Sequence, residues 1–125
     1  MKNERSNVII ERSYKFALSI IQLVDTLPKN RTSDVIGRQL LKSGTSIGAN
    51  VEEAQSGYSK SDFTNKMNIA QKEARESNYW LRLSRDSKQV REDTITSVLQ
   101  ESEALSRILF SIVKTSKGKR LLSVH

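Results

Sequence analysis

A stripe of positive charge with one aromatic ring is the feature of this sequence with the clearest chemical potential. Its members repeat at spacings of three and four, as on one face of a helix: Lys72, Arg75, Tyr79, Arg82 and Arg85. Such a stripe can follow the phosphates of a nucleic acid strand while its ring stacks on a base. The alternative is an ordinary solvated helix face, stabilised by pairs such as Lys72 with Glu76, four residues on.

The end of the chain is a second concentration of positive charge. Residues 107–125 contain five basic residues and no acidic one. Apart from Arg107, they lie close to the end of the sequence: Lys114, Lys117, Lys119 and Arg120. A flexible basic arm gains affinity for nucleic acid by releasing phosphate counterions, without sequence preference. It can equally be a solubilising end that binds nothing. In an oligomer, one arm per subunit would multiply a weak attraction.

Two patterns bear on catalysis. Arg120 and His125 fit the arginine-x4-histidine spacing of ribonucleases in HEPN domains, a family of helical bundles. In this sequence the pair lies beyond the last predicted helix, where nothing holds the geometry that acid–base catalysis needs. Glutamates are frequent on the predicted helices, yet a di-iron bundle needs glutamate-x-x-histidine pairs, and His125 is the only histidine. We therefore expect a protein that is not an enzyme, with no metal, no cofactor and no small-molecule substrate; a ribonuclease using Arg120 and His125 is a remote alternative.

Composition narrows the partners and the location. The 125 residues carry a formal net charge of +7, which favours contact with nucleic acid or an acidic partner. No apolar run approaches the roughly 18 residues of a transmembrane helix, and the first residues lack the apolar core of a signal peptide. With no cysteine present, we expect a cytoplasmic protein without a membrane partner.

Hydrophobic residues repeat with the helical period in four blocks, and no block alternates as a strand does. The predicted helices span residues 8–27, 32–57, 60–85 and 92–115, in one domain of residues 1–116 followed by a basic tail, 117–125. The first helix is predicted to bury Ile10, Tyr14, Ala17, Ile21 and Val24. The core positions predicted for the third helix are Phe63, Met67, Ala70, Ala74, Ser77 and Leu81, and those for the fourth are Ile95, Val98, Ser102, Leu105, Leu109 and Ile112. Thr32 or Ser33 should cap the second helix, and Gly118 should end the fourth. Short connections between rods of similar length predict an all-α, antiparallel, up-down-up-down four-helix bundle.

Small residues on the second predicted helix mark a packing surface. Gly44 and Gly48 lie four residues apart, on one helix face, where each glycine costs about 0.5–1 kcal/mol relative to alanine. Close approach of a neighbouring helix explains them, either within one bundle or between subunits. Asn50 can bond to that neighbour or face solvent, and Trp80 is predicted to anchor the core edge or an interface.

The same segments carry a family resemblance. Two segments of the sequence resemble the signatures of bacterial four-helix-bundle proteins encoded within intervening sequences of large-subunit (23S) ribosomal RNA genes. The first is residues 39–55, and the second consists of Asp62, Phe63, residues 69–74, Glu76 and residues 79–81. The resemblance covers about residues 8–116, and Gln71 departs from it where an apolar residue is expected. It implies a homopentameric ring with no assigned enzymatic activity, which is not a structural component of the ribosome. Accessory proteins of diversity-generating retroelements are similar pentamers that bind a reverse transcriptase and nucleic acid.

These observations predict a non-enzymatic, homo-oligomeric bundle that binds RNA or a ribonucleoprotein through its basic surface. The alternative is a protein-interaction scaffold whose charge only keeps it in solution.

Overall fold

The described residues fold into four helices that pack as a bundle. The computed structural model describes residues 4–56 and 59–124, with side chains described for residues 7–56 and 59–118. The helices are α1 (Glu4–Asp25), α2 (Arg31–Gln55), α3 (Lys60–Asp86) and α4 (Glu92–Val124). No strand occurs in these described ranges. The predicted all-α fold class is confirmed.

Contacts between helices fix their order around the bundle. Each of α2, α3 and α4 packs against the helix before it, and α4 also packs against α1, which closes the bundle. Among the described residues, α1 does not contact α3 and α2 does not contact α4, so these pairs are diagonal. Gly44 meets Ile20 while Gly37, earlier in α2, meets Val24, later in α1, so α1 and α2 are antiparallel.

Buried hydroxyl and amide groups align the other helix pairs. The Ser77 hydroxyl donates to the Ser43 hydroxyl between α3 and α2, at 2.9 Å. Between α3 and α4, the Asn78 side chain bonds to Ser102, and Thr64 bonds to Ser116. The order of these contacts runs in opposite directions along α3 and α4, as an up-down bundle requires. No buried side-chain nitrogen or oxygen in the described part of the chain lacks a partner, so the polar core is satisfied.

The predicted buried face of α1 is wrong by one residue. The buried stripe is Ile9, Ser13, Phe16, Ile20 and Leu23, whereas Tyr14 and Ile21 of the predicted stripe are exposed. Apolar residues follow two stripes on this helix, and the buried one contains a serine that weakens its hydrophobic signal. Ser13 is required there because it packs against Gly48 of α2. The core positions predicted for α3 and α4 lie inside the bundle, with Phe63 and Val98 only partly buried.

Helix ends also correct two expectations. Asn30, rather than Thr32 or Ser33, caps α2: its side chain accepts a hydrogen bond from the Ser33 backbone N–H at 2.8 Å. The α4 helix does not end near residue 115, and it passes through Gly118 to Val124. Gly118 has no positive φ, so it does not form the left-handed cap that ends many helices. With no proline beyond it, a single glycine costs only about 1 kcal/mol and does not stop the helix.

A half-buried carboxyl group makes stability depend on pH. Burial raises the pKa of Glu73 above its ordinary value of 4.5, and the charge of Glu76 raises it further, while Lys42 opposes them. A carboxyl group whose pKa is higher in the folded state costs stability once it ionises, so stability falls as pH rises through that range. We expect Glu73→Gln to raise the melting temperature slightly at neutral pH and to have no such effect below pH 4.5. A lower melting temperature at neutral pH would contradict this.

Candidate nucleic-acid interface

The basic stripe of α3 is exposed, but its members are not equivalent. Lys72, Arg75, Tyr79 and Arg82 face solvent. Arg85 is half-buried and bonds to Asp86 through two contacts, Nε to Oδ1 at 2.8 Å and Nη2 to Oδ2 at 3.4 Å. This contact raises the pKa of Arg85 and lowers that of Asp86, so the two charges offset each other. The part of the stripe available to an anion is therefore residues 72–82.

An open groove of about 380 Å³ lies between this stripe and α4. Its lining combines three arginines with one carboxylate and three neutral polar side chains: Arg75, Arg82, Arg107, Glu103, Asn78, Ser102 and Ser106. In the part of the chain that the structure describes, neither Arg75 nor Arg107 forms an ion pair. The groove therefore presents an excess of unpaired positive charge.

A chain of hydrogen bonds fixes the side chain of Arg82. The buried Ser102 hydroxyl donates to the Leu99 carbonyl at 2.7 Å and accepts from Asn78 Nδ2 at 2.9 Å. Asn78 Oδ1 in turn accepts from Arg82 Nε at 2.9 Å. The Arg82 guanidinium lies 5.8 Å from the centre of the Tyr79 ring, within reach of a cation–π interaction. Arg82 is thus held by Asn78, which Ser102 of α4 orients, and by the ring of Tyr79.

The basic end of the chain extends α4. Lys114 and Lys117 are exposed on this helix, and Lys114 lies two turns beyond Arg107 on the same face. Lys119 and Arg120 also belong to α4, although their side chains lie outside the described residues. The predicted flexible arm is therefore helical as far as Val124, and its described lysines continue the α4 side of the groove. His125 lies outside the described residues, so the alternative of a ribonuclease that uses Arg120 and His125 stays a prediction.

Other predicted site residues lie elsewhere. A Cβ atom on Gly44 would lie 2.8 Å from Ile20, and one on Gly48 would lie 3.3 Å from Ser13 Oγ, so both glycines face α1 of the same chain. Asn50 donates to the Ser46 carbonyl of its own helix.

Trp80 packs at the edge of the core and points away from the groove. Its ring meets Tyr79 edge-on, with centroids 5.3 Å apart, and its Nε1 donates weakly to Glu76 at 3.4 Å. Trp80 supports the neighbouring Tyr79 and does not itself line the groove.

Sequence reasoning missed three groups in this groove. Arg107 was counted only as part of the basic end, although its spacing of seven from Lys114 could have placed it on the same face. Ser102 was predicted only as a buried position of the fourth helix, and Asn78 gave no signal. Their roles in the groove depend on a contact between α3 and α4 that spacing within one helix does not show. No group of residues in the described ranges could hold a metal ion, and no helix there is long and apolar enough to cross a membrane.

Comparisons with known proteins agree with this bundle. The model of a family described as 23S rRNA-intervening sequence protein matches residues 5–111. A crystal structure of a Bacteroides thetaiotaomicron protein of unknown function, from the S23 ribosomal protein family, is 39% identical and superposes with a TM-score of 0.82. That match covers 88% of this chain and 98% of the other. The comparison with curated proteins gave no match. The family match spans most of the chain, and this protein belongs to the 23S rRNA-intervening sequence protein family.

Proposed function

We propose that this protein is a non-enzymatic, cytoplasmic, homo-oligomeric bundle that binds RNA or a ribonucleoprotein through the face formed by α3 and α4. One observation carries the proposal: Arg75, Arg82 and Arg107 line one groove, and only Glu103 opposes them. Arginine is well suited to phosphate because its planar group presents several donors at once. Lys72 and Lys114, exposed on the two helices, would add longer-range attraction along the same face.

Binding of a labelled RNA at increasing salt tests this proposal. Affinity should fall between about 50 and 200 mM salt, because each neutralised phosphate releases a counterion. Absence of binding at low salt would leave the scaffold alternative, in which the charge has no ligand. Recovery of bound RNA and proteins from the native host would then name the ligand or the partner.

The same titration addresses the ribonuclease alternative. The proposal expects the RNA to remain intact after prolonged incubation. Cleavage that disappears in His125→Ala would contradict the non-enzymatic assignment. The resemblance to retroelement accessory proteins stays a prediction, and the proposal does not depend on it.

An apolar surface on the other side of the bundle supports self-association. Tyr14, Leu18 and Ile21 of α1 are 59%, 46% and 40% exposed, and Leu41 of α2 is 37% exposed. A shallow recess of about 240 Å³ continues this surface, and its apolar lining includes Val24, Leu27 and Leu41. Contiguous exposed apolar surface commonly marks a protein interface. A homopentameric ring, as the family resemblance implies, would bury this surface against a different surface of the neighbouring subunit.

A charge placed in the apolar surface should break the assembly. Ile21→Glu would bury an unpaired carboxylate at the interface, so we expect the mass from light scattering to fall to the 14.2 kDa of one chain. The unchanged protein should have about five times that mass. Gln100→Glu adds the same charge on the exposed face of α4 and should leave the mass unchanged. An Ile21→Glu protein that keeps its full mass would show that another surface holds the subunits together.

A further inference from the structure

Arg82 is an exposed basic residue whose hydrogen-bond partner is a neutral side chain, and that side chain is itself oriented by a buried hydroxyl. Its Nε is occupied by Asn78, and Asn78 is oriented by Ser102, which is fully buried. The two terminal nitrogens, Nη1 and Nη2, form no hydrogen bond within the described residues. A guanidinium held in this way loses little conformational freedom when it binds, so more of the interaction appears as affinity.

The surroundings of these two nitrogens favour a phosphate group. Arg75 and Arg107 line the same groove, and Ser106 adds a hydroxyl that can donate. The volume of about 380 Å³ lies within the roughly 300–1,000 Å³ range of sites for small ligands. The groove is open, so a strand can enter and leave along it. Glu103 adds one negative charge, which leaves the three arginines in excess.

Tyr79 indicates which kind of nucleic acid fits. Its ring is 48% exposed, lies under the Arg82 guanidinium on one side, and is held edge-on by Trp80. An exposed ring beside a phosphate site can stack on a base, but only an unpaired base offers its face. A duplex presents its phosphates but keeps its bases stacked on one another.

We propose that the α3–α4 groove binds a backbone phosphate of single-stranded RNA on the Arg82 guanidinium, with the adjacent base stacked on Tyr79 and with Asn78 and Ser102 as positioning residues. This inference rests on the proposed function and makes it more specific. The other source of the same ligand chemistry is free phosphate, which lacks a base and cannot use Tyr79.

Binding of a labelled oligouridine of about ten nucleotides, compared with a duplex of the same length, tests the choice of strand. The single strand should bind about tenfold more tightly than the duplex, and Tyr79→Leu should remove that preference, while Tyr79→Phe keeps it. Inorganic phosphate should compete only weakly.

Equal binding of the two RNAs, unaffected by Tyr79→Leu, would overturn this inference and leave the proposed function standing. Strong competition by inorganic phosphate would overturn it in favour of a free-anion site. Absence of any RNA binding would overturn both.

Two substitutions test the positioning of Arg82. Arg82→Lys keeps the charge but loses the Nε contact and the paired nitrogens, so binding should weaken about tenfold while its salt dependence is retained. Asn78→Leu should weaken binding to a similar degree. In the Arg82→Lys protein, however, Asn78→Leu should have no further effect, because Asn78 acts only through Arg82 Nε.

The control is Arg31→Ala, which removes an exposed charge from α2, a helix without contact to α4 among the described residues. It should leave binding nearly unchanged. Independent, additive losses for Asn78→Leu and Arg82→Lys would overturn the positioning role, and so would an equal loss in Arg31→Ala. Arg82 is on the surface, so its variants test the inference even if Asn78→Leu impairs folding.

Discussion

Replacing Gly44 with alanine should lower the free energy of unfolding by up to about 2 kcal/mol. The new Cβ atom would lie 2.8 and 2.9 Å from the two γ carbons of Ile20, closer than carbon atoms approach one another. Ile20 is fully buried and branches at Cβ, so it cannot move aside freely. Overpacking of this kind costs about 1–3 kcal/mol, and the higher helix propensity of alanine returns only about 1 kcal/mol of it. Denaturant unfolding monitored by circular dichroism measures the difference.

Gly118 provides the matched control for Gly44. It also lies inside a helix, but a Cβ atom there would have no atom of the described residues within 4 Å. Gly118→Ala should therefore gain the higher helix propensity of alanine without any overpacking, and it should stabilise α4 by up to about 1 kcal/mol. The two substitutions are chemically identical and should have opposite signs. Equal stabilisation by both would mean that α1 does not press against Gly44.

Removing the three groove arginines together should have the largest effect on binding. In Arg75→Ala/Arg82→Ala/Arg107→Ala, affinity for single-stranded RNA should fall about a thousandfold, if each contact contributes roughly tenfold. The slope of log affinity against log salt concentration should become shallower by about 2, since each phosphate contact on a single strand contributes about 0.7. Fluorescence anisotropy over a range of salt concentrations gives both quantities.

A second triple variant shows whether RNA affinity depends on the groove arginines or only on the net charge of the protein. Arg31→Ala/Lys60→Ala/Arg91→Ala removes three exposed positive charges that do not line the groove, so the formal net charge falls from +7 to +4, as it does in the groove variant. If the groove is the binding site, this variant should retain most of the affinity. Equal losses in the two variants would instead mean that RNA responds to overall charge and to no particular surface.

The sequence was sufficient for the fold class and for most of the core. In α3, the residues from Met67 to Leu81 that repeat at spacings of three and four are buried as predicted, because one unbroken stripe left no alternative face. In α1, two apolar stripes compete, and the choice depends on Ser13 fitting against Gly48 of another helix. Periodicity within one helix cannot show such a fit.

The groove was only half predictable for a related reason. The charge and spacing of Arg75, Tyr79 and Arg82 are local properties, and they identified the α3 side. Arg107 joins Arg82 only because α4 returns antiparallel to α3. The path from Ser102 through Asn78 to Arg82 combines two helices and three side-chain geometries, none of which has a sequence signal. The prediction that α4 ends at Gly118 was wrong because a single glycine does not stop a helix.

Ultraviolet crosslinking of a bound single-stranded RNA, with the crosslinked residue identified by mass spectrometry, tests most directly whether RNA lies along α3 and α4. The test uses the Ile21→Glu protein, in which no neighbouring subunit covers Tyr14, so that Tyr79 and Tyr14 are both exposed. The two tyrosines react similarly, but they lie on diagonal helices of the bundle. We predict crosslinks at Tyr79 and on the groove side of α4, with none at Tyr14. Crosslinks at Tyr14 or along α2, without Tyr79, would contradict the account.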